Sequence, residues 1–144
     1  MTPDLPPCDE SSERLLVAEA LLFGPRDGIE PKHFFFDQHR WIYEALIATD
    51  PLEPPLVRVV TELRARGSLA SVGGSTELVR MLPDDLSALD DENMAVHAEL
   101  LVERWRKRVV AEAANRIAAE LRGEQLDSGE AWKRFKQFCT EAAA

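Results

Sequence analysis

A run of 30 residues without glycine or proline, residues 93–122, constrains the fold of this chain more than any other feature. Nearly all of these residues are good helix formers, so we predict one continuous α-helix. At a rise of about 1.5 Å per residue, the helix would be about 45 Å long. A compact domain of this size does not need so long a helix, so something must cover its apolar side.

The chain turns after this helix, and a second helix is predicted to follow. Gly123 suits the position just past a helix end, and Asp127 with Glu130 resembles a capping box at the start of the next helix. That next helix, residues 131–143, carries its aromatic side chains on one face. Small alanines on the long helix would let these rings approach closely, which predicts a tight antiparallel helical hairpin.

Two interpretations of the apolar surface of this hairpin stay open. In the first, the hairpin folds back on its own domain. In the second, its remaining apolar face binds another copy of the chain. The residues expected at such an interface are Leu101, Trp105, Val109, Ala113, Ile117, Leu121, Trp132, Phe135 and Phe138.

Four shorter helices are predicted before the long one, and no useful sheet is expected. Each of them ends close to a glycine or a proline. Their approximate ranges are 10–23, 38–49, 56–66 and 75–82. Asp37 can cap the second of these helices. At least one ring of the Phe34-Phe35-Phe36 run is expected to fill the core between helices.

These elements predict an all-α chain in which a compact helical head precedes the long hairpin. Residues 1–8 hold three prolines and are expected to form a flexible lead. Residues 9–92 form the globular head, and residues 93–144 form the hairpin. A chain of this length can bury about two-thirds of its unfolded surface, so the fold requires no disulfide or metal.

The uneven charge of the chain argues against nucleic-acid binding by the head. Residues 1–100 carry 8 basic and 19 acidic side chains, whereas residues 101–144 carry 9 basic and 7 acidic ones. An acidic surface repels a phosphate backbone. The one local exception is a basic run within the long helix, which we interpret as a solvated face rather than a nucleic-acid contact. It consists of Arg104, Arg106, Lys107 and Arg108.

The sequence shows no motif for catalysis or for binding a cofactor or a metal. It lacks the G-x-x-x-x-G-K-[ST] loop that cradles phosphates and the G-x-S-x-G turn of a serine nucleophile. His33 and His39 share no helical face, and we interpret His39 as a capping or surface residue. His97 is expected to be a partly buried packing residue. We therefore expect neither an enzyme nor a cofactor.

Three further observations bear on location. The acidic, proline-rich N-terminus does not resemble a signal peptide, and no apolar run approaches the roughly 18 residues typical of a membrane span. The two cysteines, Cys8 and Cys139, have neither the number nor the spacing of a disulfide framework or a zinc site. We expect a cytoplasmic protein that makes no membrane contact.

Several segments, taken in order, resemble the N-terminal domain of DnaB-type replicative DNA helicases. The first is a proline-containing, acidic lead into a helix, PPCDESSERLLVAEALL, and the second is a proline–phenylalanine turn, IEPKHFF. A helix with a His-Arg start, HRWIYEAL, is followed by LRARGSLASVGGSTELVRML. The last is the asparagine-led long helix with its arginine-rich middle. The match covers about residues 6–122.

The resemblance implies a protein-interaction module of DNA replication. In those helicases the hairpins pair the heads into dimers, and three dimers form a collar to which the C-terminal domain of primase binds. By resemblance, this chain would self-associate through its hairpin, as a dimer or a trimer of dimers, and contact primase, the replicative helicase or both. The ATPase motor of the family lies in a separate domain, and this chain lacks it.

The sequence departs from the resembled pattern at two places. His97 stands where those helicases usually have a tyrosine, and Val17-Ala18-Glu19 replaces their usual Leu-Gly pair.

Two other functions stay open. The chain is either a piece of a longer helicase or a free-standing homologue. A free-standing homologue could act as a regulator or adaptor that mimics the helicase collar. The second alternative is a weak single-stranded nucleic-acid-binding module that uses the basic run.

Overall fold

Helices account for all the regular structure in the described part of the chain. The computed structural model describes residues 9–49, 51–123 and 128–143. The α-helices are α1 (Glu10–Phe23), α2 (Asp37–Ile47), α3 (Pro55–Ala65), α4 (Gly74–Arg80), α5 (Asp91–Arg122) and α6 (Ser128–Ala143). Short 3-10 helices occur at Pro31–His33, Ala70–Val72 and Leu86–Leu89. These ranges contain no strand, so the all-α prediction is confirmed.

Aspartate side chains cap the N-terminal ends of α1 and α5. Asp9 caps α1, because its Oδ1 accepts a hydrogen bond from the backbone N–H of Ser12 at 3.1 Å. Asp90 does the same for α5, where its Oδ1 accepts from the N–H of Asn93 at 2.8 Å. This cap lets α5 begin at Asp91, two residues before the predicted start.

The prediction that Asp37 caps α2 is wrong. Phe36 holds the capping position with an extended backbone, and Asp37 is the first residue of the helix. Its carboxylate pairs with Arg40 one turn later. The backbone N–H groups of Phe35 and Phe36 are bound instead by a carboxylate of α1, which keeps this segment extended up to the helix start.

The core of the head surrounds α1, which is buried on most of its circumference. Leu16, Val17 and Leu21 are each at most 1% exposed. Helix α1 packs against α2 and α3, and α2 also packs against α3. The ring of Phe34 is 1% exposed and lies 4.9 Å from that of Tyr43, between their centroids. The prediction that a phenylalanine of this run fills the core is therefore confirmed.

A buried glutamate connects α1 to the loop before α2 and to α2 itself. The side chain of Glu13 is fully buried. Its Oε2 accepts a hydrogen bond from the N–H of Phe35 at 3.0 Å, and its Oε1 accepts one from Phe36 at 3.3 Å. The same Oε1 lies 3.0 Å from Nδ1 of His39. Charged groups are buried only when they are paired in this way.

The interpretation of His39 as a capping or surface residue is wrong. His39 is only 4% exposed. The centroid of its ring lies 5.6 Å from that of Phe36 and 6.4 Å from that of Phe34. The partner that allows this burial, Glu13, is 26 residues earlier in the chain. Nothing in the local sequence around His39 indicates that a carboxylate from α1 reaches it.

A buried arginine binds a backbone carbonyl group at the C-terminal end of α2. Arg58 of α3 is 6% exposed, and its Nη2 donates a hydrogen bond to the carbonyl oxygen of Leu46 at 2.9 Å. Its Nε donates to Oγ1 of Thr49 at 3.1 Å. The last carbonyl groups of a helix have no partner within the helix, and a cation suits the negative end of its dipole. Arg58 therefore stabilises the turn between α2 and α3.

The chain divides into two compact units, and the boundary lies within α5. The first unit, the head, extends to Val102, so it includes the first turns of α5. The second unit begins at Glu103 and contains the rest of α5 together with α6. The predicted division into a head of residues 9–92 and a hairpin of residues 93–144 stays a prediction. The predicted flexible lead and the Asp127 cap lie outside the described residues.

None of the described helices is both long enough and apolar enough to cross a membrane. The helix α5 has the length, but charged side chains recur along it.

Replacing Glu13 with alanine should strongly destabilise the head. The change leaves two backbone N–H groups and the imidazole of His39 without their acceptor, at about 1–3 kcal/mol for each unsatisfied buried group. We expect the free energy of unfolding, measured by urea denaturation and circular dichroism, to fall by about 3 kcal/mol or more. Glu10→Ala, an exposed change in the same helix, should cost at most about 1 kcal/mol. Equal effects of the two changes would contradict the role assigned to Glu13.

Candidate protein-interaction surface

The helical hairpin is formed by α6 and the second half of α5. Arg134 of α6 reaches Glu120 of α5, with 3.2 Å between Nη1 and Oε2. Three small or branched residues are buried in this unit: Ala113 and Ile117 of α5 and Ala131 of α6. The predicted antiparallel hairpin is therefore present.

Three of the nine predicted interface residues are buried within the chain. Leu101 lies in the core of the head, where it is 2% exposed, and it therefore has no surface to offer a second copy. Ala113 and Ile117 are buried in the hairpin unit. Ala113 and Ile117 therefore stabilise the hairpin itself. The predicted interface residues were chosen because they recur every three or four positions along the helix. This spacing identifies an apolar side of a helix, but it does not show whether the same chain or another one covers that side.

The remaining predicted residues keep apolar surface, to different degrees. Trp132 is 60% exposed and Leu121 is 43% exposed. Trp105, Val109 and Phe135 are half-buried. The side chain of Phe138 lies outside the described part of the structure, so its predicted place at the interface stays a prediction.

The two described aromatic residues of α6 form a surface pair. The rings of Trp132 and Phe135 are stacked, with 6.3 Å between their centroids and 21° between their planes. Lys136 holds its Nζ 5.8 Å from the centre of the Trp132 ring, within the range of a cation–π contact. These contacts orient the indole while leaving most of it exposed.

An apolar groove lies beside Phe135. Val110, Ala111 and Ala114 of α5 line it, and its volume is about 400 Å³. Glu103, Arg106 and Lys107 line it as well. The predicted interface did not include Val110, Ala111 and Ala114. The spacing of Val110 and Ala114, four residues apart on one side of the helix, is the signal that could have placed them there.

The basic run does not form one continuous face. Arg106 and Lys107 are exposed, whereas Arg104 and Arg108 are half-buried. Successive residues of an α-helix point about 100° apart, so these four side chains spread around α5. Lys107 also pairs with Glu103, at 3.3 Å between Nζ and Oε1. This arrangement gives little support to a phosphate-binding stripe.

The described histidines and carboxylates do not assemble into a metal centre. Among the described residues, no group of three or more histidine, cysteine, aspartate or glutamate side chains could hold a metal ion. His97 is half-buried, as predicted, and its Nδ1 lies 2.8 Å from Oγ of Ser12. That hydrogen bond joins α5 to the first turn of α1 within the head.

A helical head whose last helix continues into an antiparallel hairpin is a fold with known representatives. The chain is similar to the N-terminal domain of DnaB helicase from Mycobacterium tuberculosis, with a TM-score of 0.76 and 24% sequence identity. The match covers 95% of this chain and 99% of that domain. No family model matches the sequence, and no curated protein does. The chain therefore has the fold of a DnaB helicase N-terminal domain, as the sequence resemblance implied.

Enlarging a buried alanine of the hairpin should destabilise it, whereas enlarging an exposed one should not. Ala113→Leu introduces three carbon atoms at a position that is 2% exposed, which typically costs about 1–3 kcal/mol. We expect a lower thermal midpoint for the loss of hairpin helicity, measured by circular dichroism. Ala119→Leu is the matched control, because Ala119 is exposed on the same helix. If both variants melt like the parent, Ala113 does not pack in the hairpin.

Proposed function

We propose that this chain is a protein-interaction module of DNA replication that associates with itself through its hairpin. The observation that carries the proposal is the exposed apolar surface of the hairpin. Trp132 leaves 60% of its surface in water, and Val110 and Leu121 leave 37% and 43%. The fold of a DnaB helicase N-terminal domain supports the assignment to replication.

The chemistry of this surface suits a protein–protein interface. Tryptophan is enriched among the residues that dominate binding energy at interfaces, and the stacked Phe135 restricts the ring before binding. The groove lined by Val110, Ala111 and Ala114 offers an apolar depression on the same unit. A surface that holds both an aromatic projection and an apolar groove can pair with a second copy of itself.

We further propose that the module contacts the C-terminal domain of primase, the replicative helicase, or both. Support for these partners comes from the fold alone. The similar structure is the N-terminal domain of a helicase and not its motor, which fits a role in binding rather than catalysis. A regulator that mimics the collar would use the same hairpin surface, and the choice of partner distinguishes the two functions.

Removing Trp132 should weaken self-association without unfolding the chain. Trp132→Ala deletes an exposed ring, so we expect its circular dichroism spectrum to match that of the parent. A residue that dominates an interface contributes about 2 kcal/mol or more, so the dissociation constant should rise by about thirtyfold. Size-exclusion chromatography with light scattering should show the parent at a multiple of 16.2 kDa and the variant closer to 16.2 kDa.

The neighbouring residue supplies the control for this experiment. Lys133 is exposed on α6 beside Trp132. The Lys133→Ala variant should form the same oligomer as the parent, with the same mass by light scattering. A parent chain that stays at 16.2 kDa at every concentration would rule out self-association.

Mixing experiments test the proposed partners. The chain is combined in turn with the C-terminal domain of primase and with the replicative helicase, both from the organism that encodes this chain. Each mixture is analysed by light scattering. A complex with primase supports the replication module. A complex with helicase alone, together with altered helicase assembly, supports the regulator. No complex with either protein would contradict both.

A further inference from the structure

The apolar groove beside Phe135 has basic residues in its lining. Arg106 and Lys107 both line it, and Lys107 is paired with Glu103 at 3.3 Å between Nζ and Oε1. Arg106 is exposed, and it makes no ion pair with any residue that the structure describes. An occupant that matches this groove therefore presents an apolar side chain with an unpaired carboxylate close to it.

The segment before α5 on the head has this combination. Leu86 is 56% exposed, and it directly follows Asp84 and Asp85, which are both exposed. Asp84 makes no ion pair within the described ranges of the chain. Consecutive Cα atoms are about 3.8 Å apart, so the Cα atoms of Asp84 and Leu86 are at most about 8 Å apart. No other exposed large apolar residue described in the head directly follows two carboxylates.

The head holds this segment in a defined conformation. Asp85 caps the 3-10 helix Leu86–Leu89, because its Oδ1 accepts a hydrogen bond from the N–H of Ser87 at 2.9 Å. Hydrogen bonds from Ser87 lower the pKa of Asp85, so its carboxylate keeps its charge in mildly acidic solution. At the other end of this short helix, Leu89 is buried in the core of the head. A segment that is already ordered loses less conformational entropy on binding.

The charges of the two parts favour contact between the head of one copy and the hairpin of another. Acidic side chains exceed basic ones in residues 1–100, whereas basic side chains exceed acidic ones in residues 101–144. Opposite charges on two surfaces speed their encounter and disfavour contacts between surfaces of like charge. A second copy of this chain therefore supplies both the local and the overall complement to the groove.

We propose that the hairpin groove of one copy receives Leu86 of a second copy, with Asp84 of that copy facing Arg106. The proposal rests on the proposed self-association through the hairpin, and it names the segment that the groove binds. Such a contact is heterologous, because the head of one copy meets the hairpin of the next. Each added copy leaves one groove and one Leu86 segment free, unless the assembly closes into a ring.

Two variants that each remove one side of the contact provide the test. Leu86→Ala shortens the inserted side chain, and Ala114→Phe fills the groove at an exposed position. The full Leu86→Ala chain, labelled with ¹⁵N, is titrated with unlabelled Ala114→Phe and followed by two-dimensional NMR. We expect saturable shifts of the backbone amides of residues 106–114, because the labelled groove receives the intact Leu86 of the other chain.

The control titrant carries both changes, so it has neither an open groove nor Leu86. It should bind these amides about tenfold more weakly, because it lacks the apolar surface of the leucine. Since the label and the titrant are on different chains, a contact within one chain produces no shift on titration.

A charge reversal tests the pairing of Asp84 with Arg106. Asp84→Arg places like charges together, and it should raise the dissociation constant of self-association, measured by light scattering over a range of concentrations, by about fivefold. Adding Arg106→Asp to the same chain should restore the constant of the parent. Asp27→Arg makes the same change of charge at an exposed turn of the head, and it should leave the constant unchanged.

The outcomes separate this proposal from self-association itself. A parent chain that stays monomeric overturns both. If the parent associates but the two titrants bind equally, or neither shifts residues 106–114, this proposal alone is overturned and association through another part of the hairpin stands. Failure of Arg106→Asp to rescue Asp84→Arg also overturns it, and tighter binding of the Ala114→Phe titrant together with that rescue supports it.

Discussion

The buried carboxylate of Glu13 holds the head together at the point where its first helix meets the second. Two consecutive backbone N–H groups and an imidazole converge on its two oxygens. These bonds fix the extended segment before α2, and this segment places Phe34 in the core between α1 and α2. The apolar contacts of the core provide most of the stability, but the carboxylate determines which arrangement of the loop accompanies them.

Buried positions hold different residue types in the head and in the hairpin. On the head, buried polar side chains are paired almost completely, and Oε1 of Glu19 is the exception among the described residues. On the hairpin, small residues are buried whereas a tryptophan stays largely exposed. An exposed tryptophan ring is unfavourable in water, and the proposed contact with a second copy would cover it.

Much of the fold could be predicted from the sequence because its signals are local. Glycines and prolines mark the ends of the first four helices, whose limits are found within two residues of the predicted ones. The absence of such residues over 93–122 identifies α5 in the same way. The resemblance to helicase N-terminal domains adds the order of the elements, and the fold match confirms it.

The parts that could not be predicted depend on contacts between distant residues. His39 is buried because Glu13 reaches it from 26 residues away, and no pattern around His39 shows this. Leu101 continues the apolar stripe of the hairpin in sequence, yet the head uses it as a core residue. Periodicity shows which side of a helix is apolar, but not whether the same chain or another one covers that side.

Hydrogen–deuterium exchange at two protein concentrations tests the central claim, that the hairpin is the surface of self-association, most directly. Binding between copies lowers the population of locally open states only where the surface is covered. The account predicts that backbone amides in residues 103–123 and 128–143 exchange more slowly in the concentrated sample, while those of α1, α2 and α3 do not change. Exchange that is independent of concentration in the hairpin, or a change confined to the head, would contradict it.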